Sequence, residues 1–136
     1  MSERTLVLVK PDAVRRGLVG EVLTRFERKG LRIVAMDQRS VDGELADRHY
    51  AEHVERDFYP PLRAFVTSGP MVALVLEGDE AIEVVRAING ATDGRKAAPG
   101  TIRGDLSLSN RENLVHGSDS PESAVREIGI WFPELG

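Results

Sequence analysis

The chain has 136 residues, of which 41% are hydrophobic and 29% charged, so it can bury a core of its own and is not of the disordered class. The absence of cysteine excludes disulfides and thiolate metal sites, and a net charge of −4 argues against a general nucleic-acid coat. We expect one domain over residues 1–136. No stretch resembles a signal peptide or a membrane helix, so we expect a cytoplasmic protein without membrane contact.

Apolar runs and helical spacing alternate in the first half of the chain. Thr5–Val9 is a continuous apolar run, typical of a strand that is buried on both faces, and it ends at Lys10. A helix is predicted next from apolar residues at helical spacing, namely Leu18, Val22, Leu23 and Phe26. Gly30 closes this helix, and Leu31–Met36 is predicted to be a second strand.

Two helices, a strand and a further helix are predicted in the middle of the chain. The helices cover Glu44–His53, which is polar, and Phe58–Val66. Met71–Leu76 is a third apolar strand after a turn that contains glycine and proline. Asp79 is predicted to cap the next helix, which ends at Asn89 and the glycine that follows.

The last third begins with a stretch in which the apolar periodicity fades. Residues 91–113 are predicted to form a loop, and a loop of about 20 residues in a compact domain is usually functional or disordered. An apolar strand then resumes at Leu114 and meets His116. Ser120, followed by a proline and a glutamate, predicts a helix start, and that helix would end near Phe132.

This order of elements predicts an α+β fold. The β-α-β-β-α-β skeleton is typical of the ferredoxin-like arrangement, a four-stranded antiparallel sheet with helices packed around it. A flavodoxin-like parallel sheet is the alternative, but it would need more strand–helix pairs than the sequence offers.

The chain has three histidines, of which two are four residues apart on one predicted helix. His49 and His53 could bind a metal at that spacing, but the glutamate that a zinc protease needs directly after the first histidine is absent. We interpret both as ordinary surface histidines.

His116 differs because it ends a strand and is followed by glycine and by a helix start, whose unpaired N–H groups favour anions. A Ser-His-Asp hydrolase site made with Ser118 and Asp119 is excluded, since the three residues are too close in sequence. The imidazole could itself be the nucleophile. Lys10, Arg86 and Arg103 could clamp a polyphosphate if the fold brought them to one cleft.

Four blocks resemble the nucleoside diphosphate kinase family, and together they span nearly the whole chain in register. The most specific is Asn113-Leu-Val-His-Gly-Ser-Asp-Ser120. The others are Thr5-Leu-Val-Leu-Val-Lys-Pro-Asp12, the stretch from His49 through Phe58, and Pro99-Gly-Thr-Ile-Arg-Gly-Asp105.

The resemblance implies a ping-pong reaction. The γ-phosphoryl group of a nucleoside triphosphate, usually ATP, would move to His116 and then to a nucleoside diphosphate, with Mg²⁺ as cofactor. The resemblance also implies the remaining roles. Phosphates and ribose would be contacted by Lys10, Arg86, Thr92, Arg103 and Asn113. Tyr50 would line the pocket, and Phe58 would stack on the base beside Leu62. Glu127 and its partner Ser118 would hold the histidine ring, and Asp119 would reach Mg²⁺ through water.

The resemblance further implies a homo-hexamer, with a tetramer as the alternative. Two other functions stay open at this point. An RNA-binding module can share the ferredoxin-like skeleton, although strands Thr5–Val9 and Met71–Leu76 carry none of the aromatic residues that such modules expose. A mainly structural subunit is the third hypothesis. We expect no specific nucleic-acid partner.

Overall fold

A four-stranded antiparallel sheet forms the centre of the computed structural model, which describes residues 2–135. Its strands are β1 (Ser2–Val9), β2 (Arg32–Ser40), β3 (Pro70–Asp79) and β4 (Val115–Gly117). They lie in the order β2-β3-β1-β4, and each neighbouring pair is antiparallel. The ferredoxin-like α+β prediction is confirmed, and the parallel flavodoxin-like alternative is wrong.

Helices cover both faces of this sheet. They are α1 (Pro11–Arg15), α2 (Val19–Lys29), α3 (Gly43–His49), α4 (Tyr59–Val66), α5 (Ala81–Asn89), α6 (Ile102–Leu106) and α7 (Pro121–Trp131), with short 3-10 helices at Ala51–His53 and Pro133–Leu135. Within residues 2–135, no helix is long and apolar enough to cross a membrane.

The side chains of β1 alternate between two cores, as expected for a strand buried on both faces. Val7 and Val9 pack with residues of α2 and α5 in one core. Leu6 and Leu8 pack with residues of α3, α4 and α7 in the other. The strand is therefore packed on both faces and paired on both edges, and this fixes the position of Lys10, which follows it directly.

Two predicted boundaries in the middle of the chain are wrong. The helix predicted over Glu44–His53 is broken after His49, where α3 ends and the 3-10 helix follows. Asp79 is the last residue of β3, and Glu80 occupies the position before α5. The backbone N–H of Ile82, in the first turn of α5, donates to the carboxylate of Glu3 at 3.0 Å.

The stretch predicted as a loop, residues 91–113, contains α6. Thr101 caps this helix, since its hydroxyl accepts a hydrogen bond from the backbone N–H of Gly104 at 2.9 Å. A Cβ at Gly104 would lie 1.9 Å from the carbonyl oxygen of Ala98, so only glycine fits there. Five residues are too few to produce a periodicity, which is why the sequence pattern did not reveal this helix.

Candidate active site

A cleft of about 800 Å³ opens beside β4, which is an edge strand of the sheet. Every site residue named from the sequence lines this cleft except Ser118, which lies buried behind it. Those that line it are Lys10, Tyr50, Phe58, Leu62, Arg86, Thr92, Arg103, Asn113, His116, Asp119 and Glu127. The fold therefore brings together residues from both ends and the middle of the chain.

His116 projects from β4 and is partly exposed to the cleft. Its Nε2 lies 2.9 Å from Oε1 of Glu127, which is 5% exposed. A carboxylate accepts and does not donate, so the proton of a neutral imidazole lies on Nε2. Nδ1 is then unprotonated and carries the lone pair that a nucleophile needs.

Ser118 fixes the position of Glu127. Its hydroxyl donates to Oε1 of Glu127 at 2.8 Å and accepts from the backbone N–H of Leu6 at 3.2 Å. The backbone N–H of Ser118 donates to the carbonyl of Leu6 at 3.1 Å. Since Ser118 is bonded to Glu127 and to β1, it is not placed as the nucleophile of a hydrolase.

Two opposing effects act on the pKa of Glu127. Burial by itself raises it, but hydrogen bonds from His116 and Ser118, together with the nearby imidazoles, hold the pKa below its ordinary value. Glu127 is therefore a carboxylate at neutral pH, and it can stabilise positive charge on the ring of His116.

The interpretation of His49 as a surface residue is wrong. It is 3% exposed, and its ring lies edge-to-face against the ring of His116 with 4.7 Å between centroids. Arg126 of α7 holds the end of α3 at this place through the carbonyls of Arg48 and His49, each at 3.1 Å. Only Ala46 and His49 are buried in this short polar helix, and two positions leave no periodic signal, so the sequence pattern could not reveal the burial of His49.

His49, His116 and Glu127 offer ligand atoms within 4.8 Å of one another, yet they do not fit a metal trio. Nε1 of Trp131 donates to Nδ1 of His49 at 3.0 Å, so the neutral ring of His49 carries its proton on Nε2. Neither nitrogen is left as an open acceptor for a cation. Burial and the neighbouring His116 lower the pKa of His49 well below its ordinary value, so the ring is neutral at pH 7.

Lys10 and Arg103 supply positive charge in the inner part of the cleft. The ammonium of Lys10 donates to Oδ1 of Asn113 at 2.8 Å. The guanidinium of Arg103 donates to three backbone carbonyls, at Gly90 (2.9 Å), Asn113 (3.2 Å) and Val115 (2.6 Å). The pKa of Lys10 is lowered to about 8 by burial and by the proximity of Arg103. The carboxylate of Asp12 acts in the opposite direction and limits this fall.

Asn113 joins the two cations to the surrounding loops. Its side-chain amide donates to the carbonyls of Thr92 at 2.9 Å and Asn110 at 3.1 Å. Burial and the charge of Arg86 lower the pKa of Arg103 to about 10, so its guanidinium stays charged at neutral pH. These contacts produce a cationic pocket on one side of His116, as the clamp hypothesis expects.

The outer part of the cleft is more open. Phe58 is 50% exposed, and the ring of His53 lies beside it with 5.5 Å between centroids. Arg86 and Thr92 are exposed, and Leu62 is half-buried. An exposed aromatic face beside a cationic pocket is an arrangement that can stack a base while the phosphates bind below it.

Tyr50 and Asp119 complete the lining of the cleft. The ring of Tyr50 lies 4.6 Å from that of His49, and burial raises the pKa of its phenol, which is therefore protonated. Asp119 is exposed, and hydrogen bonds from the Ser123 and Ser120 hydroxyls lower the pKa of its carboxyl. It thus offers an exposed carboxylate on the lining of the cleft.

Comparison with known proteins gives one consistent result. The model of the family described as nucleoside diphosphate kinase matches residues 3–135. A nucleoside diphosphate kinase from Nocardioides sp. is 77% identical over 135 residues, which cover 99% of this chain and 100% of the relative. One from Mycobacteroides abscessus is 62% identical over 136 residues and is covered along 100% of its length.

A solved structure agrees with the sequence relatives. The halophilic nucleoside diphosphate kinase from Halobacterium salinarum, determined in complex with CDP, superposes with a TM-score of 0.94 and 49% sequence identity. The match covers 97% of this chain and 88% of that one. The predicted family and enzyme class are confirmed, and neither an RNA-binding module nor a mainly structural subunit is supported. The chain belongs to the nucleoside diphosphate kinase family and catalyses that family's phosphoryl transfer.

Proposed function

We propose that this transfer proceeds by a ping-pong reaction through a phosphohistidine on His116. The observation that carries the proposal is the hydrogen bond of 2.9 Å between Nε2 of His116 and Glu127, which leaves Nδ1 as the nucleophile. The lone pair of Nδ1 attacks the γ-phosphorus of ATP, the bond to the β–γ bridging oxygen breaks, and ADP leaves. A nucleoside diphosphate then enters, and its terminal β-phosphate oxygen takes the phosphoryl group from Nδ1.

Glu127 supports both half-reactions. Attack by Nδ1 places positive charge on the imidazole, and a buried carboxylate at 2.9 Å stabilises that charge. Ser118 keeps the carboxylate in place through its bonds to Glu127 and to β1. Tyr50 lines the pocket beside His49 and, as a protonated phenol, can donate to a phosphoryl oxygen.

The cations of the cleft bind the phosphates and the ribose in this proposal. Phosphoryl transfer needs positioning and neutralisation of charge more than covalent chemistry. Lys10 and Asn113, joined by a hydrogen bond of 2.8 Å, contact the transferred group and the sugar in this proposal. Arg86, Thr92 and Arg103 bind the remaining phosphate oxygens.

The base is held at the outer end of the cleft. Phe58 stacks on it, and Leu62 packs beside the aromatic ring. Stacking contributes about 1–3 kcal/mol for each base and tolerates any base, since each has a π face. This tolerance suits an enzyme that takes different nucleotides.

The donor set also fits Mg²⁺ as the cofactor. Mg²⁺ keeps several waters and usually binds one or two carboxylates together with substrate phosphates. Asp119 is a carboxylate with a lowered pKa on the lining of the cleft, so it would hold the ion through water. When bound, Mg²⁺ neutralises charge on the phosphates of the nucleotide.

Three further features belong to the proposal. Residues 1–136 form one nucleoside diphosphate kinase domain, supported by a family match that runs without interruption over residues 3–135. The chain assembles as a homo-hexamer, with a tetramer as the alternative, because the family resemblance implies it. The cytoplasm as its location stays a prediction from the sequence.

The experiment is phosphoryl transfer with purified protein. Incubation with radiolabelled ATP should give an acid-labile, base-stable phosphoprotein, and this phosphoprotein should pass its label to added CDP or GDP. The H116A variant should give neither product, whereas H53A, which alters a partly exposed histidine of the same cleft, should keep the label. Full transfer activity in H116A would end the proposal.

A further inference from the structure

Leu114, two residues before His116, has a backbone conformation that a leucine rarely adopts. Its φ is 75°, although it is a buried residue of the core. The backbone N–H of Val115 donates to the carbonyl of Asn113 at 2.8 Å and closes a three-residue turn around it. Such a turn with positive φ is strained and persists only where the surroundings hold it.

The segment that follows β1 holds this turn from both sides. The backbone N–H of Leu114 donates to Oδ2 of Asp12 at 3.1 Å, and its carbonyl accepts from the backbone N–H of Lys10 at 2.8 Å. Asp12 is 4% exposed, and burial raises the pKa of its carboxyl, while Lys10 opposes that rise. The buried carboxylate of Asp12 thus accepts a hydrogen bond from the strained residue, 102 positions away in sequence.

The turn determines how two parts of the site are spaced. Asn113, on one side of Leu114, is bonded to the ammonium of Lys10, and His116, on the other side, is bonded to Glu127. If Leu114 relaxed to negative φ, the direction of the chain would change between Asn113 and His116. The distance between the cation and the nucleophile would then no longer be fixed.

We propose that Asp12 is a positioning residue for phosphoryl transfer, which acts by holding Leu114 in the strained turn and so sets the place of His116 relative to Lys10 and Asn113. The proposal rests on the proposed role of His116 as the nucleophile. Asp12 is not among the residues that line the cleft, so it acts through Leu114 and not by contact with the nucleotide in this proposal.

The carboxylate of Asp12 has a second effect, on the charge of Lys10. The charged or titratable groups that face Lys10 are Asp12, Arg103 and His49. Of these, Asp12 alone raises the pKa of Lys10, which burial and Arg103 lower to about 8. Loss of the Asp12 charge therefore moves the deprotonation of Lys10 to lower pH.

Two substitutions separate these effects. D12N keeps the shape of the side chain and removes its charge. D12E keeps the charge but displaces the carboxylate by one methylene, so that the bond to the Leu114 N–H is lost. D42N is the matched control, since Asp42 also accepts one backbone N–H, from Leu45 at 2.8 Å, but lies outside the cleft.

The readouts are kcat, KM, the pH profile of kcat/KM and the melting temperature. D12E should lower kcat about tenfold or more, because small displacements of reacting groups have large effects on rate. D12N, whose amide oxygen can still accept the hydrogen bond from the Leu114 N–H, should lower kcat less. D12N should also move the alkaline limb of the profile to lower pH, whereas D12E should leave the limb in place. D42N should match the parent protein in all four.

Each possible outcome decides the question. If D12N does not fold, the kcat of D12E alone tests the positioning role. Wild-type kcat in folded D12E, or a loss explained by its unfolded fraction, would overturn the inference. Failure of the parent protein to become labelled on His116 would instead overturn the proposed function, so the two failures are distinguishable.

Discussion

The inner wall of the cleft and its rim are built in opposite ways. The inner wall comprises Lys10, Asn113 and Glu127, with Ser118 buried behind them. All four are at most 7% exposed and hydrogen-bonded to one another or to the backbone. The rim comprises Phe58, Arg86, Thr92 and Asp119, all of which are exposed. The rigid part thus lies where charge develops in the reaction, and the open part lies where different nucleotides must enter.

The two regions also depend on different parts of the fold. The inner wall is attached to β1, the strand that is buried on both faces, through Leu6 and Lys10. The rim is carried by the segment before α4, by the exposed face of α5 and the loop after it, and, for Asp119, by the segment between β4 and α7. Substitutions in the inner wall should therefore change kcat, and those in the rim should change KM.

The largest effect is expected from E127Q. This change keeps the size of the side chain but removes the negative charge that stabilises the imidazole of His116 during attack. We expect kcat to fall about 100-fold, within the range for positioned acid–base groups, with little change in KM. E122Q, at an exposed position in the first turn of the same helix, is the control for steady-state kinetics. Wild-type kcat in E127Q would contradict the importance of the inner wall.

A smaller effect is expected from F58A, which removes the aromatic face of the rim. The loss of stacking should raise KM for nucleotides about tenfold, in line with 1–3 kcal/mol for each stacked base, and should leave kcat nearly unchanged. V54A is the control, since Val54 is also exposed but does not line the cleft. A fall in kcat as large as that of E127Q would remove the distinction between the two regions.

The pH profile tests the charge of the inner wall. The pKa of Lys10 is about 8, so its ammonium is charged below that pH and becomes neutral above it. The kcat/KM of the parent protein, which reports groups of the free enzyme, should therefore fall above about pH 8. K10R should lose this limb, because a guanidinium stays charged. A parent profile that is flat to pH 10 would show that the charge of Lys10 is not needed.

The smallest effect concerns stability rather than rate. The pKa of His49 lies well below its unfolded value of 6.5, so the unfolded chain binds more protons than the folded one as the pH falls below 6.5. The contribution of this residue to stability is therefore fully present well above pH 6.5 and declines as the pH falls below 6.5. H49Q should have a flatter dependence of melting temperature on pH between 7 and 5.5. An unchanged slope would mean that other groups cause the decline.

Much of the sheet could be predicted from the sequence, because three of its strands are apolar runs that need no partner to be recognised. Boundaries were less accurate where a short segment depends on tertiary contacts. The helix α1 follows directly on β1 and has no periodicity of its own, and α6 is equally short. Of the two, α6 contributes Arg103 to the lining of the cleft.

The candidate site was predicted in two ways with different success. The physical pattern pointed to His116 and to the cations, while the roles of Ser118 and Glu127 came from the family resemblance. Spacing could not reveal that α7 returns across the sheet and places Glu127 beside His116. The burial of His49 was missed for a similar reason, since its partner Trp131 is 82 residues away in sequence.

The central claim is that Glu127 accepts a hydrogen bond from Nε2 of His116, so that Nδ1 is free to carry the phosphoryl group. The direct measurement is the isomer of phosphohistidine in the labelled protein, identified by ³¹P and ¹⁵N NMR and located by peptide mapping. We predict phosphorylation of Nδ1 on His116 alone. Phosphate on Nε2 of His116, or on another residue such as His49, would contradict the account.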